Sequence, residues 1–73
     1  MRSLDQLKPG EKGRVASLSK AGDMAQRLME MGLLEGDEVE LIRVAPMGDP
    51  LEVLVGDYHL SLRRSEAKLV ELE

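Results

Sequence analysis

Leu51-Glu52-Val53-Leu54-Val55-Gly56-Asp57-Tyr58-His59-Leu60-Ser61-Leu62 places two short apolar-rich runs on either side of a Gly-Asp pair. A two-residue connection with glycine in first place reads as a tight hairpin turn, because glycine takes positive φ without steric cost. Centring the pairing on Gly56-Asp57 sets Val55 opposite Tyr58, Val53 opposite Leu60 and Leu51 opposite Leu62. Three apolar cross-strand pairs then share one face, predicted to be buried, and a one-residue slip would undo the match. The other face carries Leu54 with His59 and Glu52 with Ser61, and is expected to meet water or a partner.

Upstream, Asp37 to Val44 reads as a strand whose alternation changes phase, with Val39 and Leu41 on one face and Ile42 and Val44 on the other. Such a break predicts a bulge, and bulges supply the bending that a small closed barrel needs. Glu11 to Leu18 is expected to be the first strand, although Val15, Ala16 and Leu18 do not alternate cleanly. Before it, Ser3 to Leu7 reads as one helical turn capped by Ser3 and stopped by Lys8-Pro9-Gly10. Asp23 to Met31 carries both ends of a helix: Asp23 as cap, Gln26 placed as in a capping box, and Gly32 as the stop. Met24, Leu28 and Met31 form its apolar stripe, which should lie on the sheet, and Leu33 is expected to close against Leu28.

Downstream, Ser65-Glu66-Ala67 reads as a single capped turn, and Lys68 to Leu72 as a last strand with Val70 and Leu72 in the core. The pattern is mainly β: a small SH3-like β-barrel of about five strands, with one short α-helix inserted after the first strand and residues 1–73 in a single domain.

The chain has 73 residues, 42% hydrophobic and 33% charged, a balance suited to folding and far from the signature of disorder. At this length folding buries only about 60% of the unfolded surface. The net stability expected is about 4–11 kcal/mol, which leaves little room for a large cleft. Cysteine is absent, which removes disulfides and thiolate metal sites and fits a reducing cytosol. No apolar run approaches the roughly 18 residues of a spanning helix, so no direct membrane insertion is expected. A net charge of −4 and a single aromatic, Tyr58, argue against nucleic acid as a partner.

No G-x-x-x-x-G-K-[ST] loop is present, since neither Gly10/Gly13 nor Gly32/Gly36 has the required spacing and sequel. His59, the only histidine, sits two residues from Ser61 along one strand, which is not the geometry of a nucleophile and its base. No enzymatic role and no cofactor are therefore expected. His59 with Glu52, or Glu35, Asp37, Glu38 and Glu40, could be read as metal ligands, but a solvated charged face explains the acidic run better. Met24 and Met31 are expected to pack in the core, leaving Met29 off the stripe as an adaptable contact. Two prolines stiffen Ala45-Pro46-Met47-Gly48-Asp49-Pro50, which reads either as a barrel corner or as a platform presenting Met47 to a protein.

Leu28-Met29-Glu30-Met31-Gly32-Leu33-Leu34-Glu35-Gly36-Asp37, the Ala45 to Pro50 loop and Leu60-Ser61-Leu62-Arg63 together resemble the FeoA family. Its pattern of R-L-x-x-M-G-L-x-x-G, A-P-x-G-D-P and L-x-L-R-x-x-E-A is met in order, with Arg27, Leu28, Arg63, Glu66 and Ala67 in place. The resemblance implies an SH3-like barrel acting in the cytosol, where its partner would recruit it to the inner face of the membrane. There it is the small accessory of FeoB, a ferrous iron transporter with its own GTP-binding domain, and Fe²⁺ is only the transported ion. Docking on the cytosolic region of the transporter would use Met29, Met47, Leu54 and His59, with Arg27 and Arg63 as charged rims, because these are polar-face or loop positions in the sequence reading. Two other readings compete. One is a regulatory module like the carboxy-terminal domain of iron- or manganese-dependent repressors; the other is direct transition-metal binding. An exposed barrel edge would also allow pairing with a second copy of the chain.

Overall fold

The computed structural model describes residues 2–73. Its centre is the expected hairpin: β4 (Leu51–Val55) pairs antiparallel with β5 (Tyr58–Leu62) in the register Leu51↔Leu62, Glu52↔Ser61, Val53↔Leu60, Leu54↔His59 and Val55↔Tyr58. Gly56 carries φ +62° and no non-glycine residue has positive φ among the described residues, the pattern of a type II′ turn. The buried face is less complete than the pairing suggests. Leu51, Val53, Val55 and Leu62 are buried, Leu60 is half-buried, and Tyr58 is 44% exposed. Its ring runs over the neighbouring helix end instead, where its hydroxyl donates to the Gly32 carbonyl at 3.0 Å.

Six antiparallel strands form one sheet in the order β1-β6-β2-β3-β4-β5, one more than the five expected. The addition is β1 (Arg2–Ser3), too short to carry an alternation signal, which pairs with β6 (Glu71–Leu72). β2 (Lys12–Ser17) and β3 (Glu38–Val44) are each slightly shorter than the runs Glu11–Leu18 and Asp37–Val44. The bulge expected in β3 is present, and β2, read only as poorly alternating, carries a register break as well. The β3–β4 register shifts between Leu41 and Arg43, and the β2–β6 register between Val15 and Ser17. β2 pairs with β3 through its first half and with β6 through its second, so the bulge lies where the sheet turns from one half to the other.

The main helix, α1 (Met24–Glu30), follows β2. Its start corrects the expected cap. The Asp23 side chain makes no capping bond, because a 3₁₀ turn over Ser19–Ala21 and Gly22 already lead into the helix and leave Asp23 itself helical (φ −63°, ψ −26°). Gln26 consequently does not close a capping box; its amide lies 3.4 Å from Glu30. The C-terminal end is as read. Gly32 at φ +108° bonds back to Met29 O, and the Leu33 amide to Leu28 O at 3.0 Å, the paired bonds of a Schellman closure. Leu28 and Leu33 are both fully buried, and Met24 and Met31 pack half-buried at the margin of the same core.

The second helix, α2 (Arg64–Ala67), begins one residue before the expected turn. The Glu66 carboxylate accepts from the Arg63 amide at 2.8 Å, so Glu66 reaching back, not Ser65, closes its start. The chain stays turned through Lys68 and Leu69, and the last strand is reduced from Lys68–Leu72 to Glu71–Leu72. The Ser3 turn is a short 3₁₀ helix over Leu4–Gln6, with the Gln6 side chain accepting from the Ser3 amide at 2.8 Å. Leu4, Val15, Leu41, Leu62, Val70 and Leu72 meet in one core that contains no buried charged residue among the described residues.

Candidate docking surface

α1 with the residue that caps it, and β5 with the residue that follows it, each present two side chains to the same hollow. Arg27 on α1 and Met31 at its C-terminal cap are four residues apart and therefore on one face; Ser61 on β5 and Arg63 just beyond it are two apart and both exposed. With Pro50 from the β3–β4 loop and Glu66 from α2 they line an open groove of about 350 Å³. Met31 and Pro50 contribute apolar residues to its lining, and Arg27 and Arg63 contribute two cationic ones. Salt bridges among the described residues are Lys20–Glu71 and Arg43–Glu52, so neither Arg27 nor Arg63 is engaged in one.

Of the six residues expected to dock a partner, two line this groove and one lines another hollow. Arg27 and Arg63 come together at the groove. Met29 is on α1 and 45% exposed, and Met47 stands at the tip of the β3–β4 loop, 92% exposed. Leu54 and His59 are cross-strand partners, but Leu54 lines a second hollow, of about 250 Å³, with Lys12, Glu38 and Glu40. Acidic side chains predominate in that hollow, whereas the groove beside α1 has two arginines to one glutamate. The acidic run is also more than a solvated face. Glu35 accepts from the Leu18 amide at 3.3 Å and Asp37 from the Leu34 amide at 3.1 Å, so both carboxylates tie the segment that follows α1. No three His, Cys, Asp or Glu side chains converge to metal-binding distance among the described residues.

Arg64 organises this side of the molecule and is not among the expected residues. Its Nε donates to Gly48 O at 2.9 Å and its Nη1 to Asp5 O at 3.2 Å, while its amide donates to Asp49 Oδ1 at 2.9 Å. One half-buried guanidinium thereby fastens the Met47 loop and the Ser3 turn to the start of α2. The loop is closed on itself by Ala45 N to Pro50 O at 3.0 Å and Gly48 N to Ala45 O at 2.7 Å, so Met47 projects from a braced support. A signal for Arg64 was present: continuing the β5 alternation past inward Leu62 turns Arg63 out and Arg64 in. Ser61, Pro50 and Glu66 had no comparable signal, because they meet Arg27 only once α1 is laid beside β5.

Comparison with known proteins gives a consistent match. The FeoA domain family matches residues 2–73. An Fe(2+) transport protein A/Fe(2+) transporter FeoB fusion protein of Porphyromonas gingivalis (strain ATCC BAA-308 / W83) is 31% identical over 70 residues, covering 96% of this chain and 8% of the fusion. The chain thus spans under a tenth of that curated relative. A FeoA-like protein from Clostridium acetobutylicum, solved by NMR, is 34% identical, with a TM-score of 0.90 over 97% of this chain and 83% of the other. Stenotrophomonas maltophilia FeoA, crystallised with zinc and described as a prokaryotic SH3 domain protein, is 34% identical, with a TM-score of 0.78 over 100% of this chain and 91% of the other. A manganese-dependent transcriptional repressor shares the fold, with a TM-score of 0.86 at 17% identity over 97% of this chain and 35% of the repressor.

Proposed function

The chain belongs to the FeoA family, and from that premise we propose that it is a cytosolic accessory of ferrous iron uptake that docks on the cytosolic part of a FeoB-type transporter and biases its activity. The observation that carries this reading is the relative in which an equivalent sequence is joined to the transporter in one chain. A covalent link keeps two modules at high effective concentration, an arrangement that suits modules working side by side. Contact with a transporter needs a surface, and the α1/β5 groove with the braced Met47 loop is the one we assign to it. The mechanism is differential binding: a transporter conformation contacted better by the chain is raised in population, with no chemistry on the chain itself. Fe²⁺ is then the cargo of the transporter, and GTP is handled by the partner.

Co-purification of the chain with the isolated cytosolic domain of the transporter, scored with that domain's GTP hydrolysis rate, tests the proposal. Retention with an altered rate is expected; absence of retention contradicts it. Met47→Asp should reduce retention about tenfold if Met47 is a central anchor. Folding should change by less than about 0.5 kcal/mol, since the side chain is almost fully exposed. Direct iron carriage is the separate reading, and it predicts stoichiometric heat on anaerobic Fe²⁺ titration of the purified chain. The repressor likeness rests on fold alone and adds no argument for a DNA-linked role.

A further inference from the structure

We propose that the groove between α1 and β5 receives an extended acidic segment of the partner protein, added as a strand on the β5 edge with its carboxylate held between Arg27 and Arg63. This deepens the docking reading and rests on it. β5 ends the sheet order, so one of its sides has no neighbouring strand. In a two-residue hairpin the residues flanking the turn exchange both ladder bonds, which makes Val55–Tyr58, Val53–Leu60 and Leu51–Leu62 the bonded pairs. The amides and carbonyls of His59 and Ser61 therefore point away from β4, and neither residue has another backbone partner among the described residues. These four groups are the ladder positions that an incoming strand requires.

Side chains beside this edge select what is added. Arg27 and Arg63 line the groove without ion-pair partners among the described residues, and Ser61 adds a residue with a hydroxyl to the same lining. Glu66 is the counter-charge, its carboxylate accepting from the Arg63 amide. Two cations and one anion favour a single carboxylate over a dianionic phosphate. Met31 and Pro50 provide apolar contact for an aliphatic neighbour of that carboxylate. The chain as a whole carries net charge −4, so an acidic segment is repelled over most of its surface and is directed to this one place.

The test titrates the ¹⁵N-labelled full chain with the peptide acetyl-Val-Thr-Val-Glu-Val-amide, with its Glu-to-Gln counterpart, and with inorganic phosphate. Expected are amide shifts at His59, Ser61 and the Arg27 to Met31 turn. Replacing the peptide glutamate, or using the Arg27→Gln/Arg63→Gln double variant, should weaken binding about tenfold. Both arginines are exposed, so the variant should keep the wild-type spectrum elsewhere. The proposal is overturned by no shift at millimolar peptide, by equal affinity for the Gln peptide, by phosphate reproducing the shifts, or by the same shifts on concentrating the chain alone. Binding of the transporter's cytosolic domain separates the two readings. If wild type and the double variant bind it equally, the groove assignment fails and docking stands. If wild type does not bind it, docking fails while the peptide titration still judges the groove.

Discussion

Gly32 and Tyr58 show how much one position can carry. Gly32 sits at φ +108°, and a Cβ built there would lie 1.7 Å from the Tyr58 hydroxyl oxygen and 2.7 Å from Cζ. Gly32→Ala is expected to cost about 2–3 kcal/mol, combining left-handed strain with displacement of the ring and loss of its hydrogen bond. In a Tyr58→Ala background the same change should fall to the strain alone, about 1–2 kcal/mol. Urea unfolding of the four proteins of this cycle checks the coupling; strictly additive costs would exclude the contact. The glycine was legible as a helix stop from its place after Met31. The tyrosine was not, because alternation along β5 assigned it to the buried face, whereas its reach to Gly32 O depends on how α1 lies beside the strand.

Among the elements, those specified by neighbours in sequence were read well and those specified across the sheet were not. The β4–β5 register follows from a two-residue turn and apolar matching, and the β3 bulge from a phase change at Ile42; both are local signals. β1 is two residues long and exists only because β6 pairs with it. The start of α1 was misread at Asp23, since the preceding 3₁₀ turn hands over a backbone that is already helical. Packing dominates the energetics of these pieces. Leu28→Ala, at a fully buried position, should cost about 2–5 kcal/mol. Against about 4–11 kcal/mol in total, it should shift the denaturant midpoint sharply down. Arg64→Ala should cost about 1–3 kcal/mol by releasing the Gly48 and Asp5 carbonyls. Arg64→Lys should not restore it, because one ammonium cannot span both acceptors. Amide exchange at Ala45 and Gly48 should quicken in both variants, and unchanged exchange there would contradict the brace.

At the scale of the whole molecule, one small core leaves the described surface as the place where a contact would be made. Its core takes the inner faces of the strands and the apolar side of α1, and what is left outside is a braced loop, an open strand edge and a cationic groove in an otherwise acidic protein. Arg27 and Arg63 were both legible as outward positions from helix and strand periodicity. Their meeting at one groove was not, because it depends on the packing of two elements over thirty residues apart in sequence. Leu54, by contrast, was rightly placed outward on the sheet yet belongs to a hollow with acidic walls, apart from the arginines. The most direct measurement is a titration of the ¹⁵N-labelled chain with the isolated cytosolic domain of a FeoB-type transporter, reading affinity and the positions of the shifted amides together. Saturable binding with shifts on α1, β5 and the Met47 loop, weakened about tenfold by Arg27→Gln/Arg63→Gln, is the expected result. No binding at the highest soluble concentration of the domain would contradict the docking function.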